Sequence, residues 1–285
     1  MTKTLHICLS AGVGNRLFQY ASIKAISKKY GYTFNIVDNI YDYQHNKKYN
    51  WFIDKINTDF KESKKDLTNV FTYDQPYTEH VGVVTTFDFT KVDEENIIIN
   101  GFFQHEDNFI DMRDELLNIL NMSQSIKDKI DTFEKNLIIP LKNVYAIHFR
   151  LGDYVNNQKH FVNLQTYYIN CINFLRNKSN SKLNFLIICE SPVEHIQYIY
   201  PGLLDFIAQN DNVMLVTSES DEEFDLYILT QCKGVICANS TFSWWGAWLN
   251  NNSNKEIFIP DKWLNDRNNI ITMKYAHIIS TSSLI

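Results

Sequence analysis

Short apolar blocks alternate with helix-period stretches along most of the chain. Leu5-His6-Ile7-Cys8-Leu9 reads as a first strand, closed by the glycine turn Ser10-Ala11-Gly12-Val13-Gly14-Asn15. Phe18, Ala21 and Ala25 follow at i, i+3 and i+7, which predicts a helix over about residues 16–30 that Gly31 stops. Residues 32–37 and 96–100 read as strands, and 108–120 and 123–137 as helices. Between Tyr41 and Val92 polar and aromatic residues mix without a period, and no element is predicted there.

The second half is more regular. Strands are predicted at 144–147, 183–189, 213–216, 235–237 and 257–259, the last in the chain. Helices are predicted between them at 164–176, 193–198, 221–232 and 241–250. Such alternation implies βαβ units about a parallel sheet, an α/β fold. The polar stretch 134–143, carrying Pro140, marks the expected boundary between domains 1–140 and 141–285.

A length of 285 residues suits two domains, and 45% hydrophobic with 21% charged residues is an ordinary globular composition. A net charge of −6 argues against a nucleic-acid partner, which asks for a basic face. Five cysteines, an odd number without C-x-x-C spacing, read as reduced core residues of a cytoplasmic protein. The first residues lead into only a short apolar run, so no signal peptide is expected. No run approaches the ~20 apolar residues of a membrane span, so a soluble protein is expected.

Candidate chemistry gathers at strand ends. His148-Phe149-Arg150-Leu151-Gly152-Asp153-Tyr154 follows the apolar run Val144-Tyr145-Ala146-Ile147. Ligands of open α/β sheets bind at the carboxyl ends of strands. Alternation along the strand sends His148 and Arg150 to one face and Phe149 to the other. Arg150 offers fixed, permanently charged donors suited to a phosphate. Asp153 lies beyond the Gly152 break, as a base or as a partner of Arg150. An Arg–Asp ion pair tying down the loop is the plainer alternative. Glu190 sits just past another predicted strand end. Asn239-Ser240-Thr241-Phe242 opens a helix whose hydroxyls and first-turn N–H groups make a second anion cradle, simple capping being the plainer alternative, while its tryptophans read as core. Ser220-Asp221-Glu222-Glu223 has capping-box spacing, and Asp225 follows beside that helix's apolar stripe.

The glycine turn is an anion-binding arrangement, but Leu17 takes the place of the third glycine of a dinucleotide fingerprint. Gly-Lys-Ser/Thr is also missing from that turn, which disfavours an ATPase. Eight scattered histidines and no Asp-x-Asp lead to the expectation that no metal is bound. A departing diphosphate would then rely on Arg150 and helix N-termini, donors worth ~10²–10³ in rate.

Together four blocks resemble the α-1,2-fucosyltransferases, within the GDP-fucose-dependent transferases. Ala11-Gly12-Val13-Gly14-Asn15-Arg16-Leu17-Phe18-Gln19-Tyr20-Ala21 is similar to that family's Gly-Gly-Leu-Gly-Asn-Gln-Met-Phe-Gln-Tyr-Ala. Gly101-Phe102-Phe103-Gln104 is similar to its Gly-Tyr-Phe-Gln, and residues 148–154 resemble its His-x-Arg-Arg-x-Asp. Residues 239–249 resemble its Asn-Ser-Ser-Phe-Ser-Trp-Trp-Gly-Ala-Trp-Leu.

The resemblance implies a GT-B-like fold, two Rossmann-like domains facing across a cleft with the GDP-sugar held mostly by the second. It implies inverting, metal-independent transfer of L-fucose from GDP-fucose to a galactose hydroxyl of a glycan. By the same resemblance Arg150 would hold the β-phosphate and His148 would line the nucleotide pocket. Ser240, Thr241 and Phe242 would take the diphosphate and ribose side, Asn239 would be a further substrate-binding residue, and Asp225 would read guanine N–H groups. Gly14, Asn15 and Gln19 would face the donor from the first domain. Leu151 replaces the motif's second arginine, and Arg16 stands where glutamine is usual, with the expectation that it restores the charge. Glu190 and its neighbours replace a more usual Ser-Asp-Asp. Asp153 is the first choice of base and Glu190 the second, unless a dissociative step needs no strong base. The alternatives are a transferase for a different GDP-sugar and an inactive glycan- or nucleotide-binding protein of the same fold.

Overall fold

The computed structural model describes residues 3–36, 50–56, 69–75, 92–216, 221–266 and 270–284. These fall into two compact units, Met1–Asn121 and Met122–Ile285.

In the first unit, β1 (Thr4–Ile7) leads into α1 (Val13–Tyr30) and β2 (Thr33–Ile36). Within the stretch that lacks a period lie α2 (Asn50–Ile56) and β3 (Val70–Asp74), before β4 (Asn96–Asn100) and α3 (Arg113–Ile119). Apart from residues 50–56, 69–75 and 92, that stretch lies outside the described residues. The strands pair in parallel in the order β2-β1-β4-β3. Helix α1 begins at Val13, so Gly14 stands inside its first turn, on a Gly12 cap with extended backbone. The helix predicted over 108–120 is instead two short 3-10 turns and α3, because Phe109 leaves helical dihedrals at φ −146 and ψ 8.

The second unit starts with α4 (Gln124–Lys135), not with the strand expected to open it. Ile126 and Ile130, four residues apart, bury one face of α4, and Ser123 caps it on the Ile126 N–H at 3.3 Å. There follow β5 (Tyr145–Phe149), α5 (Gln165–Asn177), β6 (Asn184–Cys189), α6 (Val193–Ile199), α7 (Leu203–Ala208) and β7 (Asn212–Val216). Then come α8 (Glu222–Gln231), β8 (Gly234–Ile236), α9 (Thr241–Leu249), β9 (Glu256–Pro260) and β10 (His277–Ile279). Helix α4 packs on α8, where Phe133 and Phe224 meet edge to face at 5.8 Å. That packing is why 124–135 belongs with the second unit and the division falls before Pro140.

The second sheet is wholly parallel, in the order β10-β9-β8-β5-β6-β7. Strand β10 adds to the one expected to be last. All five residues of β5 are buried, as its central place predicts. Tyr145, Ile147 and Phe149 point into a cluster with Leu151, Tyr168 and Tyr200. Trp244, Trp245 and Trp248 of α9 are core, with Trp244 and Trp245 at 5.3 Å. A Cβ on Gly246 would meet Leu229 Cδ1 at 2.5 Å, so the missing side chain lets α9 lie close on α8. All five cysteines are free thiols, four of them buried. Among the described residues no helix is long and apolar enough to cross a membrane.

Candidate active site

From β5 the chain first builds outward through β6 and β7, then returns to lay β8 on the other side of β5. Connections diverge at such a reversal, leaving a crevice at the carboxyl ends of the strands. Strand β5 delivers His148 and Arg150 to that edge, β6 delivers Glu190, and β8 delivers the start of α9.

His148 alternates with its core-facing neighbours and is 4% exposed. Its ring lies 5.6 Å from that of Phe242, joining the strand end to the first turn of α9. Its carbonyl accepts the Tyr168 hydroxyl at 2.9 Å, whereas its Nδ1 is buried with no hydrogen-bond partner. Burial first, then the charge of Arg150, depress the imidazole to about 3, so it is neutral at physiological pH.

Arg150 leaves just past β5 with its side chain 25% exposed. Its Nη2 donates to Asp153 Oδ1, its Nη1 lies 3.7 Å from Glu190 Oε1, and the guanidinium sits 5.1 Å over the Tyr154 ring. Burial alone would weaken the charge, but Glu190, Tyr154 and Asp153 outweigh it and hold the guanidinium more firmly protonated. The ion pair that spacing suggested is therefore made. Glu190 Oε1 also accepts the Leu151 N–H at 2.9 Å. Leu151 itself is fully buried in the core, so a second arginine here would place its stem in apolar surroundings.

Ser240 is the residue before α9, yet its hydroxyl makes no capping bond. Ser123 and Asp221, by contrast, cap α4 and α8, the latter on the Phe224 N–H at 2.6 Å. Simple capping, the plainer alternative for this helix start, is not made by Ser240: its own N–H turns back to Ala238 at 2.8 Å, and the hydroxyl stays off the helix. The expected Ser220 cap lies outside the described residues. Asn239 is buried and donates to the carbonyls of His160 at 2.9 Å and Trp263 at 2.8 Å, pinning two loops behind the site. Asp225 stands in the first turn of α8. Burial, then Glu190, push the Cys189 thiol up to about 12, and Asp225 adds to that shift from the same strand end.

In the first unit the reversal falls between β1 and β4. Gln19 Oε1 accepts the Ser10 N–H at 2.9 Å, and its Nε2 donates to the Gly101 carbonyl at 2.9 Å. Gln104 Nε2 donates to Asn15 Oδ1 at 2.7 Å. Gly101 has φ +153, and a Cβ there would meet Gln75 Cβ at 2.5 Å; Gln75 in turn accepts the N–H groups of Phe102 and Phe103. Arg16, 1% exposed, donates from Nε to the Ala11 carbonyl at 2.7 Å, and Ala11 carries a left-handed φ of 60. Through that bond the Arg16 guanidinium holds its own loop.

The structure brings His148, Arg150, Asp153, Glu190 and Phe242 together, and sets Ser240 and Thr241 beside them at the start of α9. Sequence reading gave no role to Tyr154, whose hydroxyl burial pushes up to about 12, and read Gly152 only as a break in the strand. The aromatic ring directly after Asp153 was the available signal. Among the described residues no three His, Cys, Asp or Glu side chains converge as a metal site would require.

The chain matches Glycosyl transferase family 11 over residues 2–275. An alpha-1,2-colitosyltransferase of Escherichia coli is 29% identical over 167 residues, 57% of this chain and 54% of that protein. The chain thus spans about half the length of that relative. The O-antigen biosynthesis glycosyltransferase WbnK of Escherichia coli is 24% identical over 299 residues, 93% of this chain and 96% of the relative. Among solved structures, fucosyltransferase NodZ from Bradyrhizobium aligns with a TM-score of 0.52 at 12% identity, covering 86% of this chain and 93% of that one. A mutant of Arabidopsis thaliana FUT1 in complex with GDP aligns with a TM-score of 0.51 at 10% identity, covering 90% and 70%. At such identities the likeness is one of fold, the GT-B-like class of parallel-sheet α/β units. A family match running from the turn of α1 through the strand-end arginine to the tryptophans of α9 makes this chain a glycosyltransferase of family 11.

Proposed function

We propose that the chain transfers L-fucose from GDP-fucose to a galactose hydroxyl of a glycan, forming an α-1,2 linkage with inversion and without a metal. The observation that supports this best is Arg150, held charged and partly exposed at the end of β5 beside a helix start whose serine does not cap it.

In this reading the acceptor oxygen bonds to C1 of the sugar as the C1–O bond to the β-phosphate breaks, and the electron pair leaves with GDP. Arg150 and the first-turn N–H groups at Thr241 and Phe242 take up that charge. Neutral His148 offers its unpartnered Nδ1 to the nucleotide, with the Phe242 ring tilted against it. The Ser240 and Thr241 hydroxyls face the diphosphate and ribose, and Asp225 reads guanine N–H groups. Asp153 accepts the acceptor proton once the diphosphate has displaced it from Arg150. Gln19, Arg16 and Asn239 hold loops, because each is committed to backbone carbonyls nearby.

A colitosyl donor is the second reading, favoured by the relative named for that transfer. Incubation of the purified protein with labelled GDP-fucose, other GDP-sugars and galactose-terminated glycans, followed by linkage analysis, separates the two. Fucose in α-1,2 linkage with turnover unchanged by a chelator is the expected result. Transfer only from another donor, or loss of turnover on chelation, overturns it.

A further inference from the structure

Strands β5 and β6 run in parallel with Phe149 level with Cys189, so Arg150 and Glu190 leave the sheet side by side. A single oxygen, Glu190 Oε1, lies 3.7 Å from Arg150 Nη1 and accepts the Leu151 N–H at 2.9 Å. It thereby grips both the guanidinium and the peptide group that follows it. This approach needs room: a Cβ on Gly152 would sit 2.8 Å from that oxygen. Leu151 is anchored on its other side by the core. The two acids on Arg150 therefore differ in kind. Asp153 rides on the same loop and moves with it, whereas Glu190 comes from the neighbouring strand and ties that loop to the sheet.

We propose that Glu190 is a positioning residue: it fixes the Leu151 amide, and with it the direction of Arg150, and it serves neither as base nor as substrate ligand. Asp153 is then the partner that yields to an incoming diphosphate. The kinetic consequence rests on the transfer reading above; the structural one does not. Glu190 must reach past Gly152, so a shorter acid or a methyl group at 152 breaks the same contact from opposite sides.

The test compares E190D, E190Q, G152A and the E190D/G152A double variant. E190D and G152A are each expected to lower kcat on the order of 10²-fold with the KM for the GDP-sugar little changed. E190Q keeps an oxygen for the Leu151 N–H and recovers most of the rate. The double variant is no worse than either single one, because both remove one contact. Amide hydrogen exchange at Leu151 is expected to quicken about tenfold or more in E190D and G152A but not in E190Q. An E190D protein that exchanges and turns over like the parent, or single effects that multiply in the double variant, overturns the proposal. A parent that turns over no GDP-sugar sinks the transfer reading instead, and the Leu151 exchange rates still decide whether Glu190 holds the turn.

Discussion

At the end of β1, Gln19, Gln104 and Arg16 all donate to oxygens of their own unit, on Gly101, Asn15 and Ala11. At the end of β5, His148 keeps a buried Nδ1 without a partner, Ser240 leaves its helix uncapped, and Arg150 rests on two partly exposed carboxylates. Both places are reversal points of a parallel sheet, and both carry a block that resembles the same family. They differ in whether their polar groups are already satisfied. A local hydrogen bond adds about 0.5–1.5 kcal/mol of stability, whereas a buried polar atom left alone costs about 1–3 kcal/mol. At the first reversal these side chains thus hold their own loops, although His6 of β1 also keeps a buried Nδ1 without a partner. The second retains binding capacity that a ligand can use.

Arginine substitutions test this contrast most strongly. Arg150→Ala is expected to lower turnover by about 10²–10³-fold with the melting temperature nearly unchanged. Arg150→Lys should recover only part of it, since an ammonium lacks the planar fork. Arg16→Ala should do the reverse, costing about 1–3 kcal/mol in chemical denaturation, because the Ala11 carbonyl loses its donor. Loss of turnover at full stability in Arg16→Ala would invert the comparison.

His148 gives a pH signature. Its folded value of about 3 lies below the ordinary 6.5, so below 6.5 the unfolded chain binds a proton that the folded one refuses. Stability should therefore fall as pH drops below neutrality toward 3, by about 1 kcal/mol between pH 6.5 and 5.5. Denaturation of His148→Gln across this range should lack that part of the slope; an unchanged slope places the titration elsewhere. The smallest effect is expected from Asp153→Asn. Relieving an ion pair this exposed should tighten GDP binding only about two- to fivefold by calorimetry, and weaker binding would make Asp153 a ligand-side residue.

Much of the second unit was legible because its strands are buried on both faces and read as apolar runs ended by polar turns. Strand β10, only His277–Ile279, was not legible, since one apolar pair beside a histidine carries no period. Neither was the early start of α1, where Gly12 caps without a capping side chain. Helix α4 was found but grouped with the wrong half, because its partner α8 lies far along the chain. At the candidate site the residue types at the strand ends were legible and their commitments were not. Asn239 and Ser240 are neighbours with similar chemistry, yet one pins two carbonyls and the other leaves its helix uncapped.

Sequence by itself determined which side chains arrive at the carboxyl ends of the strands, because alternation and glycine breaks are local rules that each segment obeys alone. Only the tertiary structure decided which of them are already bonded. Hydrogen bonds such as Glu190 to Leu151, Gln19 to Gly101 and Asn239 to Trp263 join residues 39, 82 and 24 positions apart. Partners so distant are selected by strand order and register, which no short window of sequence contains.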